Sequence, residues 1–246
     1  MKFEIKNSSG EKLDCAYEAG NPEKHKSEFL VVMGHGVTAN KDRPILTETA
    51  KAINIAGFDT LRFSFAGNGE SEGDFRDATI SKEVADLGAV LDTASKGKKI
   101  IYVGHSMGGA VGVLRTAMDS RIVGLISLAG MVNTKKFAET EFGEETPDEG
   151  FMWEDEDCPL SSAYMKDLCE TIVTVAPMAE TISVPWLLVH GTADDVVQPE
   201  DSEEIKSLRG DDVELVKIEG GDHMMNEPEH LSQTTAAVAD WITRNF

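Results

Sequence analysis

The sequence predicts an α/β domain, with a mostly parallel sheet and helices on both of its faces. Short β-branched or apolar runs alternate with stretches of helical periodicity along nearly the whole chain. The chemically unusual residues gather just after those runs, at the carboxyl ends of the predicted strands, where sheets of this kind bind ligands. The 246 residues, 41% hydrophobic and 27% charged, are enough for one globular domain with a large core.

Taken in order, the chain opens on Met1-Lys2-Phe3-Glu4-Ile5-Lys6, which alternates polar and apolar residues as a strand does. A hairpin is predicted from 1–6 and 13–17, turning at Asn7-Ser8-Ser9-Gly10. Further strands are expected at 29–33, 60–65, 99–103, 123–128, 185–189 and 214–218. Helical spacing covers 45–56, 80–94, 107–118, 201–208 and 231–242. One stretch, 131–181, separates two strands and is far longer than an ordinary connection. It combines acids (Glu144, Glu145, Asp148, Glu149, Glu154 to Asp157) with Phe137, Phe142, Phe151, Met152, Trp153 and Tyr164. A cap is expected there, apolar face over the site and charges in water; the alternative is a surface excursion. The densest cluster, Phe151-Met152-Trp153, makes Trp153 the candidate substrate-binding residue of the cap. With no internal repeat or low-complexity linker, 1–246 is expected to be a single domain.

Composition narrows the function. Lys+Arg 23 against Asp+Glu 44 gives a net charge of −21. A surface so acidic repels phosphate backbones and anionic lipid, which argues against nucleic-acid and membrane partners. The acids are spread along the chain, consistent with solubility or with adaptation to salt or cold. No apolar signal core follows a basic start and no stretch is long enough to span a bilayer, so the cytoplasm is the expected compartment. Cys15, Cys158 and Cys169 are odd in number, lack Cys-x-x-Cys spacing and have no histidine clustered nearby. Neither a disulfide framework nor a zinc site is expected, and no metal or organic cofactor is implied.

Chemistry enters at Gly104-His105-Ser106-Met107-Gly108, a Gly-x-Ser-x-Gly sequence between the strand 99–103 and a Gly/Ala-rich helix. That context is what a nucleophile elbow requires: a serine on a sharp strained turn, with glycines removing the side chains that would collide. A helix N-terminus behind the serine favours developing negative charge. Upstream, His35-Gly36 closes the strand 29–33 and puts Val37 at a strand end, where its N–H, with that of Met107, can hold an oxyanion. His190-Gly191-Thr192-Ala193-Asp194 closes 185–189, and a carboxylate there can orient a histidine. Asp194 is preferred over Asp195, and Asp195 is assigned to the surface. Gly220-Gly221-Asp222-His223 follows 214–218 and supplies the base, His223; Asp222 is a turn former. His230, after Glu227-Pro228-Glu229, is expected in an exposed first turn. The order Ser106, Asp194, His223 is that of α/β-hydrolases.

At these residues the chain resembles the α/β-hydrolase superfamily over nearly its whole length. Within it, the sequence is most similar to bacterial feruloyl or cinnamoyl esterases and related small serine esterases. His35-Gly36-Val37-Thr38-Ala39-Asn40 resembles their oxyanion loop, and Arg62-Phe63-Ser64-Phe65-Ala66-Gly67-Asn68-Gly69-Glu70-Ser71-Glu72-Gly73 their Arg-Phe-Asp-Phe stretch. Ser64 stands where they usually carry aspartate, and Asn68 where a histidine is common. The resemblance implies an inserted lid at 131–181 and an aromatic-acid ester as substrate. The reading is hydrolysis of a small-molecule carboxylic ester through an acyl-enzyme: Ser106 attacks, His223 takes its proton, Asp194 orients His223, and the Val37 and Met107 N–H groups bind the oxyanion. Amidase, peptidase and thioesterase chemistry stay open on the same machinery, as does a non-catalytic binding member. Oligomeric state is left open, a homodimer included.

Overall fold

The computed structural model describes residues 4–246, so the 1–3 portion of the expected first strand lies outside the described residues. The opening hairpin pairs β1 (Ile5–Lys6) with β2 (Lys12–Leu13), antiparallel. Asn7 Oδ1 accepts from the Ser9 and Glu11 N–H groups, both at 3.0 Å, and so fastens the turn. The expected 13–17 strand divides at Asp14. That residue donates its N–H to Ser71 Oγ at 2.8 Å, and its carbonyl accepts from Ser64 N at 2.9 Å. The following residues, β3 (Cys15–Glu18), therefore leave the hairpin and join the main sheet.

That sheet also contains β4 (Phe29–Gly34), β5 (Asp59–Phe63), β6 (Lys99–His105), β7 (Ile122–Leu128), β8 (Trp186–Gly191) and β9 (Val213–Ile218), in the order β3-β5-β4-β6-β7-β8-β9. All neighbours are parallel except β3, which runs against β5. Strands β4, β5 and β8 are buried along their whole length. This is why β4 and most of β8 read as apolar runs rather than alternations, whereas β5 buries Asp59 and Arg62 against Lys98 and Glu18. Lying at the edge, β9 is only partly covered.

The helices are α1 (Pro44–Ile55), α2 (Ile80–Ala94), α3 (Met107–Thr116), α4 (Thr134–Phe142), α5 (Ser162–Lys166), α6 (Ala176–Ala179), α7 (Glu200–Arg209) and α8 (Pro228–Asn245). α1 and α8 pack together on one face of the sheet, over Phe29, Val31, Ile45, Phe58 and Trp241. α2 and α3 meet on the other, over Leu61, Leu87, Tyr102 and Leu125. α2 has the predicted bounds because Thr79 caps it, accepting from Lys82 N at 3.1 Å. α8 starts three residues earlier than its apolar spacing indicates, with Pro228 at the first helical position. His230 is consequently half-buried in that first turn rather than exposed.

Between β7 and β8 the chain makes α4, a 3₁₀ turn at Met152–Glu154, α5, a π-helical run at Asp167–Ile172, and α6. Phe137, Phe142, Met152, Tyr164 and Leu168 turn inward and join the same apolar cluster as α2 and α3. Glu144, Glu145, Glu149 and Glu154 to Asp157 face water.

Candidate active site

The loops after β4, β6, β8 and β9 meet above the carboxyl edge of the sheet. Ser106, between β6 and α3, has φ 55° and ψ −121°. A non-glycine residue held in such a region costs about 1–3 kcal/mol, which the surrounding structure must enforce. The enforcement is visible: Ser106 N donates to Leu128 O at 2.9 Å, while Ser106 O accepts from Gly109 N at 2.8 Å and Met131 N at 3.0 Å. Close packing accounts for the flanking glycines. A Cβ on Gly36 would lie 2.8 Å from Ser106 Cβ, and one on Gly104 would collide with the Gly108 carbonyl.

His223 and Asp194 complete a buried relay. His223 Nε2 lies 3.0 Å from Ser106 Oγ, and His223 Nδ1 lies 2.8 Å from Asp194 Oδ2. The other carboxylate oxygen of Asp194 accepts from Val196 N at 3.0 Å and Val197 N at 2.9 Å. Burial pushes the Asp194 carboxyl up, but hydrogen bonds from His190 and His223 outweigh it and hold the group well below the usual carboxylate range. Backbone bonds from Thr192 N to Ile218 O at 2.9 Å and Ala193 N to Gly221 O at 3.0 Å tie the acid-bearing loop to the base-bearing loop. Asp195, next in sequence, is exposed. Asp222 accepts from Asn226 N at 2.9 Å and so shapes the His223 loop, the turn-forming part expected of it.

Three further histidines position the site, and motif reading did not give them these parts. His105 Nε2 donates to the His223 carbonyl at 3.1 Å and fixes the backbone of that residue. Burial, followed by the nearby His223 charge, pushes the His105 pKa down to about 3. Its ring, 5.0 Å from that of His223, is therefore neutral and does not oppose a proton there. His190 takes Ser202 Oγ at Nδ1 (2.7 Å), which leaves Nε2–H for the Val197 carbonyl at 2.9 Å and Asp194 Oδ2 at 3.2 Å. His35 joins β4 to β5: Nδ1 donates to Gly36 O at 2.8 Å and Nε2 accepts from Phe65 N at 3.0 Å. Burial lowers its pKa to about 4, so it too is uncharged at neutral pH. The available signal was a histidine at the end of each of three buried strands, β4, β6 and β8.

A cavity of about 260 Å³ opens beside Ser106, lined by Val37, Thr38, Arg43, Trp153, Val196 and Met224 among others. Met107 begins α3, so its N–H has no acceptor within the helical ladder, and among the described residues no backbone bond uses the Val37 N–H. Trp153 reaches the cavity from the 131–181 segment. Its ring packs edge-on against Phe142 at 5.0 Å, and Nε1 donates to Glu141 at 2.8 Å. Trp153 has φ 50°, a left-handed conformation that, at a bulky residue, is found where local structure is over-determined. Tyr164 adds a second contact from this segment, its hydroxyl donating to Met107 Sδ at 3.6 Å. No group of three or more metal-ligating side chains is assembled among the described residues.

Comparison with known proteins agrees with this fold. The model of the "Alpha/beta hydrolase family" matches residues 31–241. Bovine "Palmitoyl-protein thioesterase ABHD10, mitochondrial" is 25% identical over 201 residues, which cover 75% of this chain and 63% of that protein. The chain thus spans less than two thirds of the length of that relative. Among solved structures, Est1E from Butyrivibrio proteoclasticus with ferulic acid bound superimposes with a TM-score of 0.86 at 29% identity, covering 99% of each chain. The mouse alpha/beta hydrolase domain-containing protein 10 gives a TM-score of 0.74 at 19% identity over 99% of each chain, a likeness of fold.

Proposed function

Because the chain belongs to the alpha/beta hydrolase family, we propose that it is a serine hydrolase that cleaves carboxylic esters of small molecules through an acyl-enzyme. The observation that carries this reading is the buried relay from Ser106 Oγ to His223 (3.0 Å) to Asp194 (2.8 Å) beside a cavity. In the first half-reaction Ser106 Oγ attacks the ester carbonyl as its proton passes to His223 Nε2. The oxygen of the tetrahedral intermediate takes its negative charge to the Val37 and Met107 N–H groups. Its collapse breaks the C–O bond, and the His223 proton leaves on the alcohol. Water then repeats the sequence on the acyl-serine and releases the acid. Asp194, held ionised, stabilises the imidazolium in both halves.

The 131–181 segment is on this reading a cap that supplies Trp153 as an apolar wall. The cavity, at about 260 Å³, is small for a ligand pocket and lies just below the ~300–1,000 Å³ usual for small molecules. Compact acyl groups fit it better than long chains. Ferulic acid in the Est1E structure, together with Trp153 at the cavity, supports an aromatic-acid ester. Thioester cleavage is a second reading, favoured by the name of the bovine relative. The charge of −21 supports a small-molecule substrate rather than a nucleic acid or membrane surface, and a cytoplasmic setting is part of the same reading. No helix of the described residues is long and apolar enough to cross a membrane.

The test is a panel of p-nitrophenyl esters of increasing chain length, methyl ferulate, an acyl thioester and an anilide, assayed with wild type and Ser106→Ala. Short aryl esters and methyl ferulate should lead in kcat/KM, and Ser106→Ala should lose all of it. Turnover confined to the anilide or the thioester would replace the ester reading.

A further inference from the structure

Arg43 stands at the mouth of the cavity, which it lines together with Ser106, His223, Thr38 and Trp153. No aspartate or glutamate is among the lining residues, in a chain with 44 acids and 23 Lys+Arg. Arg62, Arg76, Arg115, Arg121, Arg209 and Arg244 each pair with a carboxylate. Among the described residues Arg43 alone of the arginines has no such partner. Its guanidinium makes one long contact, Nη2 to the Thr38 carbonyl at 3.4 Å, so most of its five N–H donors are left for another acceptor.

The neighbouring acid explains why. Asp42 is taken by Lys41 and by Arg62 Nη1, the latter at 3.0 Å. The same Arg62 Nη1 donates to Lys41 O at 2.6 Å, and Lys41 N donates to Ser64 Oγ at 3.1 Å, so β5 pins the loop that presents Arg43. Position within α1 argues against a stabilising part. Arg43 is the N-cap residue, a cation at the positive end of the helix, and the first turn of α1 carries no acid. α7 shows the opposite and favourable arrangement, with Glu200, Asp201 and Glu203 in its first turn.

We propose that Arg43 is a specificity residue that recognises an anionic group on the substrate. The ester then carries a carboxylate or phosphate beyond the scissile bond, and that group pairs with the guanidinium, whose planar fork suits either. The proposal rests on the ester-hydrolase reading above and narrows its substrate class. The fields in play separate by range. The acidic surface repels an anion at a distance, an effect confined within about 8 Å at physiological salt, while Arg43 acts in contact.

Two matched pairs of esters test it and locate the anion. In 4-acetoxybenzoate and its methyl ester, the charge or its absence lies on the leaving group. In phenyl hydrogen glutarate and phenyl pentanoate it lies on the acyl group. For one pair, Arg43→Gln should lower kcat/KM for the anionic member about tenfold, chiefly through KM, and leave the neutral member within about twofold. Arg43→Lys should restore part of the loss. The pair that responds identifies the side of the ester that meets Arg43. If Arg43→Gln changes both members of each pair equally, or changes none, the proposal is overturned while ester hydrolysis stands. If wild type turns over none of the four, the hydrolase reading falls and this one with it.

Discussion

Asp194 and Asp195 are neighbours in the chain and opposites in environment. Asp194 is buried and receives two histidines and two backbone N–H groups; Asp195 lies in water. Asp194→Asn should therefore lower kcat by about 10³–10⁴-fold, because an amide cannot hold His223 in the same tautomer or stabilise its cation. Asp195→Asn should stay within about threefold, and steady-state rates of the two variants on one aryl ester decide the matter; Asp195→Asn as the more damaging change would shift the acid by one residue. His223→Ala should resemble Asp194→Asn, and His230→Ala should resemble Asp195→Asn. The positions of the proposed triad were legible because a strand end followed by a small-residue turn is where such chemistry has to stand. The supporting parts of His105 and His190 were not. His105 bonds the backbone of a residue 118 positions away, and His190 bonds Ser202 and Val197 across a loop, so pairing of this kind leaves no local pattern.

At the scale of elements, the buried strands and α2 were readable because burial on both faces leaves apolar runs and capping leaves Thr79 before Ile80. The break at Asp14 was not, since it is made by hydrogen bonds to Ser64 and Ser71, far along the chain. Inside the 131–181 segment the turns are short and partly π-helical, too brief for periodicity to register. Its composition was more informative than its spacing: the aromatics form one packed set, with Phe142 6.5 Å from Tyr164 and 5.0 Å from Trp153, ring to ring. Trp153→Ala should reorder a series of acyl esters by kcat/KM, with discrimination changes of about 1–3 kcal/mol per lost methylene-sized contact. Reaction with a small organophosphonate should stay near the wild-type rate in this variant, since the relay is untouched. An unchanged ester ranking would reduce Trp153 to a prop for Phe142.

Across the whole molecule the acids fall into two groups, a solvated majority and a few set in the core. Glu83 on α2 is 2% exposed, and its Oε2 has no hydrogen-bond partner. Burial, then the nearby Asp86 and Asp167, pushes its pKa well above the usual carboxylate value. Between the ordinary value and the raised one, the native state holds a proton that the unfolded chain has released. Stability therefore falls as pH rises through that interval. Glu83→Gln removes this titration. The variant should lose less Tm than wild type between about pH 5 and about pH 8, and should be the more stable of the two at the upper end. Parallel Tm curves would show that Glu83 ionises in the native state. The net charge of −21 was plain in the sequence; Glu83, three residues after Ile80 and four before Leu87, falls on the apolar face of α2, but that spacing does not show that its Oε2 is left without a hydrogen-bond partner.

The proposed ester hydrolysis depends on one covalent event at Ser106. Mass spectrometry of the intact protein, quenched during turnover of p-nitrophenyl acetate and followed by peptide mapping, observes that event directly. Wild type should gain a single acetyl group, confined to the peptide that contains Ser106. His223→Ala should acquire it slowly, and Ser106→Ala not at all. An acetyl group on another residue that turns over at the steady-state rate, or wild-type turnover by Ser106→Ala, would contradict the account.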